Sequence, residues 1–123
     1  MSFNNPQANP PLRSGVEFRA QAAYAAAQAA PGTEIKAAPT NTAKSHYVES
    51  MLVSAEVAGW IRLVQNTGGV VSNLTPKIYL PANGSGQPQW LSVRLKANAG
   101  VNIGVESSVA GNHSVQIVGF TAL

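Results

Sequence analysis

The sequence predicts a mainly β protein: an antiparallel β-sandwich or jelly-roll-like domain over residues 46–123, preceded by an extended N-terminal arm, residues 1–45, with one short alanine-rich helix. Three observations carry this expectation. From His46 onward apolar and polar residues alternate with period two, the pattern of half-buried strands. The alternating runs are short and recur every ten to fifteen residues or so, separated by Gly, Asn and Pro turn signals. Residues 1–45 hold five of the eight prolines, while residues 46–123 hold nine of the eleven glycines.

The arm opens with MSFNNPQANPPLR, rich in Asn, Gln and Pro. Pro10-Pro11 favours an extended, polyproline-like path. Ser14-Gly15-Val16-Glu17 has the spacing of a capping box, in which Ser14 accepts an orphan helical N–H and Glu17 reaches back. The run AQAAYAAAQAA follows, with the highest helix propensity of any composition, and Pro31-Gly32 ends it. A helix over about 15–30 is expected. Its large apolar groups are Val16, Phe18 and Tyr24, so it is marginal alone in water and needs a partner. Residues 31–45, PGTEIKAAPTNTAKS, return to linker composition.

Six strand candidates follow. HYVESMLVSAE alternates from His46, WIRLVQNT starts after Gly59, and KIYL lies between Pro76 and Pro81. WLSVRLK spans 90–96, VNIGVE spans 101–106, and HSVQIVGF spans 113–120, with Gly111-Asn112 expected to join the last two as a hairpin. The predicted core is Leu52, Ile61, Leu63, Ile78, Leu80, Val93, Leu95, Ile103, Val105, Val115 and Ile117. A disulfide-free β domain of this size has a small core, so oligomerisation is expected to bury more of it. No βαβ pattern occurs, which argues against a nucleotide-binding parallel sheet.

Composition narrows the chemistry. The chain has 123 residues and 12.8 kDa, enough for one domain or a small domain plus an arm. Charged residues make up 11%, well under the usual ~25%, and 45% are hydrophobic, which excludes a disordered polyelectrolyte. The net charge of +3 comes from eight scattered cations, not from a basic run, so direct sequence-specific nucleic-acid binding is not expected. The absence of Cys excludes disulfides and Cys-ligated metals. There is no Asp, which leaves a thin supply of acid–base groups. No apolar run is long enough to span a membrane, and the N-terminus lacks the charged start and apolar core of a signal peptide. Synthesis in a cytoplasm, without oxidative folding, is the expectation.

Each candidate for chemistry has a plain structural alternative. His46 and His113 are the two imidazoles; they fall short of a zinc site and flank strands, where a hydrogen-bonded His is ordinary. Ser107, Ser108 and Ser114 near His113 suggest a nucleophile and base, but no Asp and no Gly-x-Ser-x-Gly elbow accompany them. Gly84-Ser85-Gly86 lacks the ending of a phosphate loop. Three Asn-x-Ser/Thr matches, at Asn73, Asn83 and Asn112, carry no weight without secretion. No catalytic residue, metal or cofactor is therefore expected. Trp60 and Trp90 each begin an alternating strand, where a large aromatic fills a core or interface, or else stacks on a ligand. Phe3, Leu12, Phe18 and Tyr24 are isolated anchors in polar surroundings, spaced to enter pockets on a partner, with Arg13 and Arg19 available for its carboxylates.

The segments GWIRLVQNTGG, KIYLPANGSGQ and WLSVRLKANAGVNIGVESSVAGNHSVQIVGF resemble the small β-sandwich virion proteins of tailed bacteriophages, often capsid decoration, or cement, proteins. Leu95, Lys96, Ala97, Gly100, Val101, Ile103, Val105, Gly111, Val115, Ile117, Gly119 and Phe120 read like their closing pair of strands. The likeness covers roughly 46–123 and leaves out the arm. It implies a jelly-roll-like homotrimer on the capsid exterior, over junctions of major capsid protein subunits, with no enzymatic activity. On that expectation Phe3, Leu12, Arg13, Phe18, Arg19 and Tyr24 contact the capsid, several arms acting together. An adhesive phage-fibre module, binding host surface carbohydrate through Trp60 or Trp90, is the alternative.

Overall fold

The computed structural model describes residues 15–81 and 89–123, and in these the chain forms two antiparallel sheets and no helix. The strands are β1 (Val16–Tyr24), β2 (Thr33–Lys36), β3 (Ser45–Ala55), β4 (Gly59–Gln65), β5 (Ser72–Asn73), β6 (Ile78–Leu80), β7 (Gln89–Lys96), β8 (Ile103–Ser107) and β9 (His113–Ala122). One sheet has the order β1-β9-β3-β7; the other runs β2-β8-β4-β5, with β6 also paired to β4. Six of the eight connections switch sheets, so each sheet interleaves early and late strands. Side chains from both sheets meet in one core: Val48, Met51, Val53, Val115 and Ile117 from the first, Ile61, Leu63, Ile103 and Val105 from the second.

The helix expected over 15–30 is replaced by a strand. β1 pairs with β9 along its whole length, from Val16↔Thr121 to Tyr24↔His113. Alanine's helix propensity is a weak preference that tertiary pairing overrides. The segment also carries a period-two pattern. Phe18, Ala20 and Tyr24 are half-buried against the core, while Glu17, Arg19, Gln21 and Ala23 are exposed. A methyl group is apolar enough to face inward yet too small to stand out in the sequence. β2, within the stretch read as linker, pairs with β8. The division at residue 46 is therefore not a boundary in the hydrogen bonding.

The six strands expected after residue 46 are present, but the hairpin at Gly111-Asn112 is not. β8 pairs with β4 and β2, and β9 pairs with β3 and β1, so the turn carries the chain from one sheet to the other. The expected core is correct for Ile61, Leu63, Leu80, Ile103, Val105, Val115 and Ile117, while Ile78, Val93 and Leu95 are half-buried against it. Leu52 is the exception: Met51, Val53 and Ala55 point inward instead. The cause is a β-bulge. Between Val48 and Ser50 the register of β3 shifts against both β7 and β9, and an extra residue inverts the alternation beyond it. Arg94 on β7 takes a positive φ of 48° at this place. Gly119 on β9 lets the strands close in, because a Cβ there would run into the Tyr47 carbonyl oxygen.

Candidate interaction surfaces

The two imidazoles are structural. The His46 ring is buried between the Ala37 carbonyl and the Thr121 hydroxyl, each 2.7 Å away. The carbonyl can only accept, so Nε2 carries the proton and Nδ1 accepts from Thr121. Burial pushes the His46 pKa below its ordinary value; the Ala37 carbonyl opposes this and nearby Lys36 adds to it. Phe18 packs edge-on against the same ring, centroids 5.3 Å apart. His113 donates from Nδ1 to the Gly111 carbonyl at 2.8 Å and accepts at Nε2 from the Ser107 hydroxyl, also 2.8 Å. Ser107 in turn accepts from the Gln28 N–H at 3.0 Å. The Ser–His contact has the distance of a nucleophile and base, but both residues are buried and the imidazole is oriented by a backbone carbonyl of its own turn. The chain of bonds ties β8 to β9 and to the segment after β1. Tyr24 lies against His113, ring centroids 5.3 Å apart. Among the described residues no three His, Cys, Asp or Glu side chains gather to hold a metal ion.

The outer face of the four-stranded sheet is organised in rows set by the register. Glu17, Phe120, Tyr47 and Lys96 lie opposite one another across β1, β9, β3 and β7. Tyr47 stacks on Phe120, with centroids 4.7 Å apart and planes 6° from parallel, and the Lys96 ammonium sits 5.6 Å from the Tyr47 centroid. A second row runs Gln21, Gln116, Leu52 and Trp90. Trp90 is 61% exposed. Between the rows, beside the bulge, lies an open groove of about 560 Å³ lined by Tyr47, Glu49, Ser50, Ser92, Arg94, Lys96 and Phe120, among others. Small groups fill the rest: Ser54 and Ser114 bond across the strands at 2.8 Å. Four strands about 4.8 Å apart, each some nine residues long, make a face of roughly 20 by 30 Å. That approaches the ~800 Å² each partner contributes to a standard interface.

The outer face of the five-stranded sheet has a different chemistry. Trp60 on β4 lies opposite Tyr79 on β6, and Arg62 lies opposite Glu106 on β8. Arg62 donates from Nε to a Glu106 carboxylate oxygen. The Lys77 ammonium is 4.5 Å from the Trp60 ring centroid, and the Arg62 guanidinium carbon is 5.2 Å from it. Tyr79 is 72% exposed.

The structure separates the expected site residues. Phe3, Leu12 and Arg13 lie outside the described residues. Phe18 and Tyr24, expected to enter a partner's pockets, pack on the protein's own core and on its two imidazoles. Arg19 is exposed on the outer face of β1. Trp90 is on the surface, and Trp60 is half-buried beneath its two cations. Sequence reading missed Tyr79 and Lys77 as neighbours of Trp60. The signal was the alternation in KIYL, which puts Lys77 and Tyr79 on one face, but nothing local said that this strand pairs with WIR.

No protein-family model matches the chain, and no curated protein matches it. Among the solved structures similar to it are two of viruses. One is the structure of the infectious bursal disease virus Gt strain, with 7% identity and a TM-score of 0.45 over 97% of this chain and 36% of that one. The other is the cryo-EM structure of the giant freshwater prawn Macrobrachium rosenbergii extra small virus VLP, with 5% identity and a TM-score of 0.25 over 98% of this chain and 88% of that one. The chain spans little more than a third of the length of the first.

Proposed function

We propose that this chain is a structural virion protein of a tailed bacteriophage, a decoration or cement protein on the outside of the capsid. In this reading it is a homotrimer, made in the host cytoplasm, that sits over junctions of major capsid protein subunits and has no catalytic role. The observation that carries the reading is the outer face of the four-stranded sheet. It is broad, grooved at the bulge, and presents exposed Trp90 and half-buried Leu52 among small polar groups, with Glu17, Arg19, Glu49, Arg94 and Lys96 around them. An exposed apolar patch rimmed by polar residues marks an interface, and aromatic anchors dominate interface energies. The interleaved strand order is that of a jelly roll, an architecture used by capsid and lectin domains alike, so the fold is compatible with the role without deciding it. The sequence resemblance adds the phage context. Phe3, Leu12, Arg13 and exposed Arg19 are the arm-side contacts in this reading; Phe18 and Tyr24 serve the fold.

The test is co-sedimentation with phage heads lacking the protein, together with native mass spectrometry of the free chain. Leu52→Glu places a carboxylate on an inner strand of the face and Trp90→Glu one on its edge strand, both pointing away from the core. Expected are loss of head binding and loss of the trimer, with the far-UV spectrum unchanged. Variants that still decorate heads at normal occupancy overturn the reading.

A further inference from the structure

We propose that the outer face of the five-stranded sheet binds a carboxylate-bearing polysaccharide, with Tyr79 and Trp60 as the floor on which a sugar ring stacks and Lys77 and Arg62 as partners of its acidic group. The site lies on the sheet opposite the assembly face, and the inference does not depend on that assignment.

The floor is built by register. Trp60 and Tyr79 are directly opposite across the antiparallel pair of β4 and β6, so their Cβ atoms are about 5 Å apart. Two aromatic side chains rooted side by side on one face give a sugar ring an apolar surface to stack on. Tyr79 holds most of its surface in water, an arrangement that does nothing for the core.

The cations are placed, not scattered. Lys77 and Arg62 both lie over the Trp60 indole, where the ring's quadrupole holds them. Glu106 fixes Arg62 through Nε alone, one of the five N–H donors of a guanidinium. Two cations against one carboxylate leave one net positive charge beside two rings. An incoming carboxylate draws the Lys77 ammonium from the indole and opens that face for the sugar.

Charge density selects the ligand. Single-stranded nucleic acid carries one phosphate for each stacked base, and its affinity comes from neutralising several of them; this face has no row of cations for that. A run of acidic residues offers carboxylates but no flat apolar face for Tyr79. A uronic-acid polymer offers both, one carboxylate for each ring.

The experiment titrates the full-length protein with hexagalacturonate, its methyl ester, hexathymidylate and hexaglutamate, followed by calorimetry and tryptophan fluorescence. Expected is binding of hexagalacturonate, with the methyl ester at least about tenfold weaker. Tyr79→Ala and Lys77→Gln each weaken binding by about tenfold, the scale of one stacked ring or one placed cation. Tyr79→Phe keeps the ring and keeps the affinity, and Val70→Ala, at an exposed position with no part in either face, binds like the parent. Thermal melts check folding; if Tyr79→Ala does not fold, Lys77→Gln and the methyl ester decide. Absence of hexagalacturonate binding, equal binding of its ester, or unchanged affinity in folded Tyr79→Ala overturns the proposal. Tighter binding of hexathymidylate or hexaglutamate overturns it in favour of a nucleic acid or an acidic peptide.

Discussion

A chain that begins at Ser45 will not fold on its own. Such a truncation removes β1 and β2, and with them one edge of each sheet. β9 would lose its partner along all of Val16–Tyr24, and β8 would lose Thr33–Lys36. Phe18, Tyr24 and Ile35 are half-buried against the core. Full burial of such a side chain is worth about 1.5–3 kcal/mol, so three half-buried ones supply roughly 3–4 kcal/mol. Each ladder hydrogen bond lost adds about 0.5–1.5 kcal/mol net, and the uncovered faces of Val115 and Ile117 add more. A whole domain is stable by only about 5–15 kcal/mol, so the loss consumes most of it. The truncated chain should be insoluble, or should show no cooperative urea transition by circular dichroism while the full chain shows one. A soluble 45–123 fragment with a cooperative transition within about 1 kcal/mol of the parent refutes the argument, and makes residues 1–44 an appendage after all.

Three further outcomes follow from single sites. Ser107→Ala removes the hydroxyl that donates to His113 and accepts from Gln28; leaving buried polar groups unpaired costs about 1–3 kcal/mol, read as a lower urea midpoint. Gly119→Ala drives a methyl group into the Tyr47 carbonyl at the bulge and should cost about 1–3 kcal/mol, read as a lower Tm. The depressed His46 pKa means that between the folded and unfolded values the unfolded chain binds the extra proton. Stability is then full above about pH 6.5, the unfolded value, and falls as pH is lowered through it towards the folded value. Urea midpoints at pH 7.5 and 5.0 should differ, and His46→Gln should shrink the difference.

The strands after residue 46 were legible because each side chain there is large enough to declare its face. Ile61, Leu63, Ile103 and Val105 alternate without interruption, and all are buried. β3 was legible as a strand but not in its phase, since nothing in VESML marks the bulge after Val48 that turns Met51 inward and Leu52 outward. β1 was misread because its alanines favour a helix locally, and that preference is overridden by pairing with β9, about a hundred residues away. The same non-locality hid the Trp60–Tyr79 neighbourhood. Period-two patterns say which way a side chain points; they do not say which strand lies beside it. The low charge and the lack of Cys and Asp were visible; that Trp90 stands 61% exposed while Trp60 is half-buried was not, because it depends on the pairing.

The two outer faces are divided by chemistry in a way that one task on one face does not require. Packed sheets present their outer faces in opposite directions, with the shared core about 10 Å thick between them. The four-stranded sheet turns out a broad mixed surface of Ser, Gln, Leu52, Val118 and stacked aromatics with Glu17, Arg19, Glu49, Arg94 and Lys96 among them, suited to another protein. The five-stranded sheet turns out two aromatic rings under placed cations, suited to a smaller anionic ligand. If the first face lies on a particle, the second points away from it, into solvent. In the proposed role, docking would leave Tyr79 and Lys77 uncovered, and a trimer would display three copies at fixed spacing. Weak sites repeated on a rigid surface act together, with avidity well above the single-site affinity when the ligand can span them. The interleaved strand order makes this possible: because six of the eight connections cross between the sheets, both faces are built on one core.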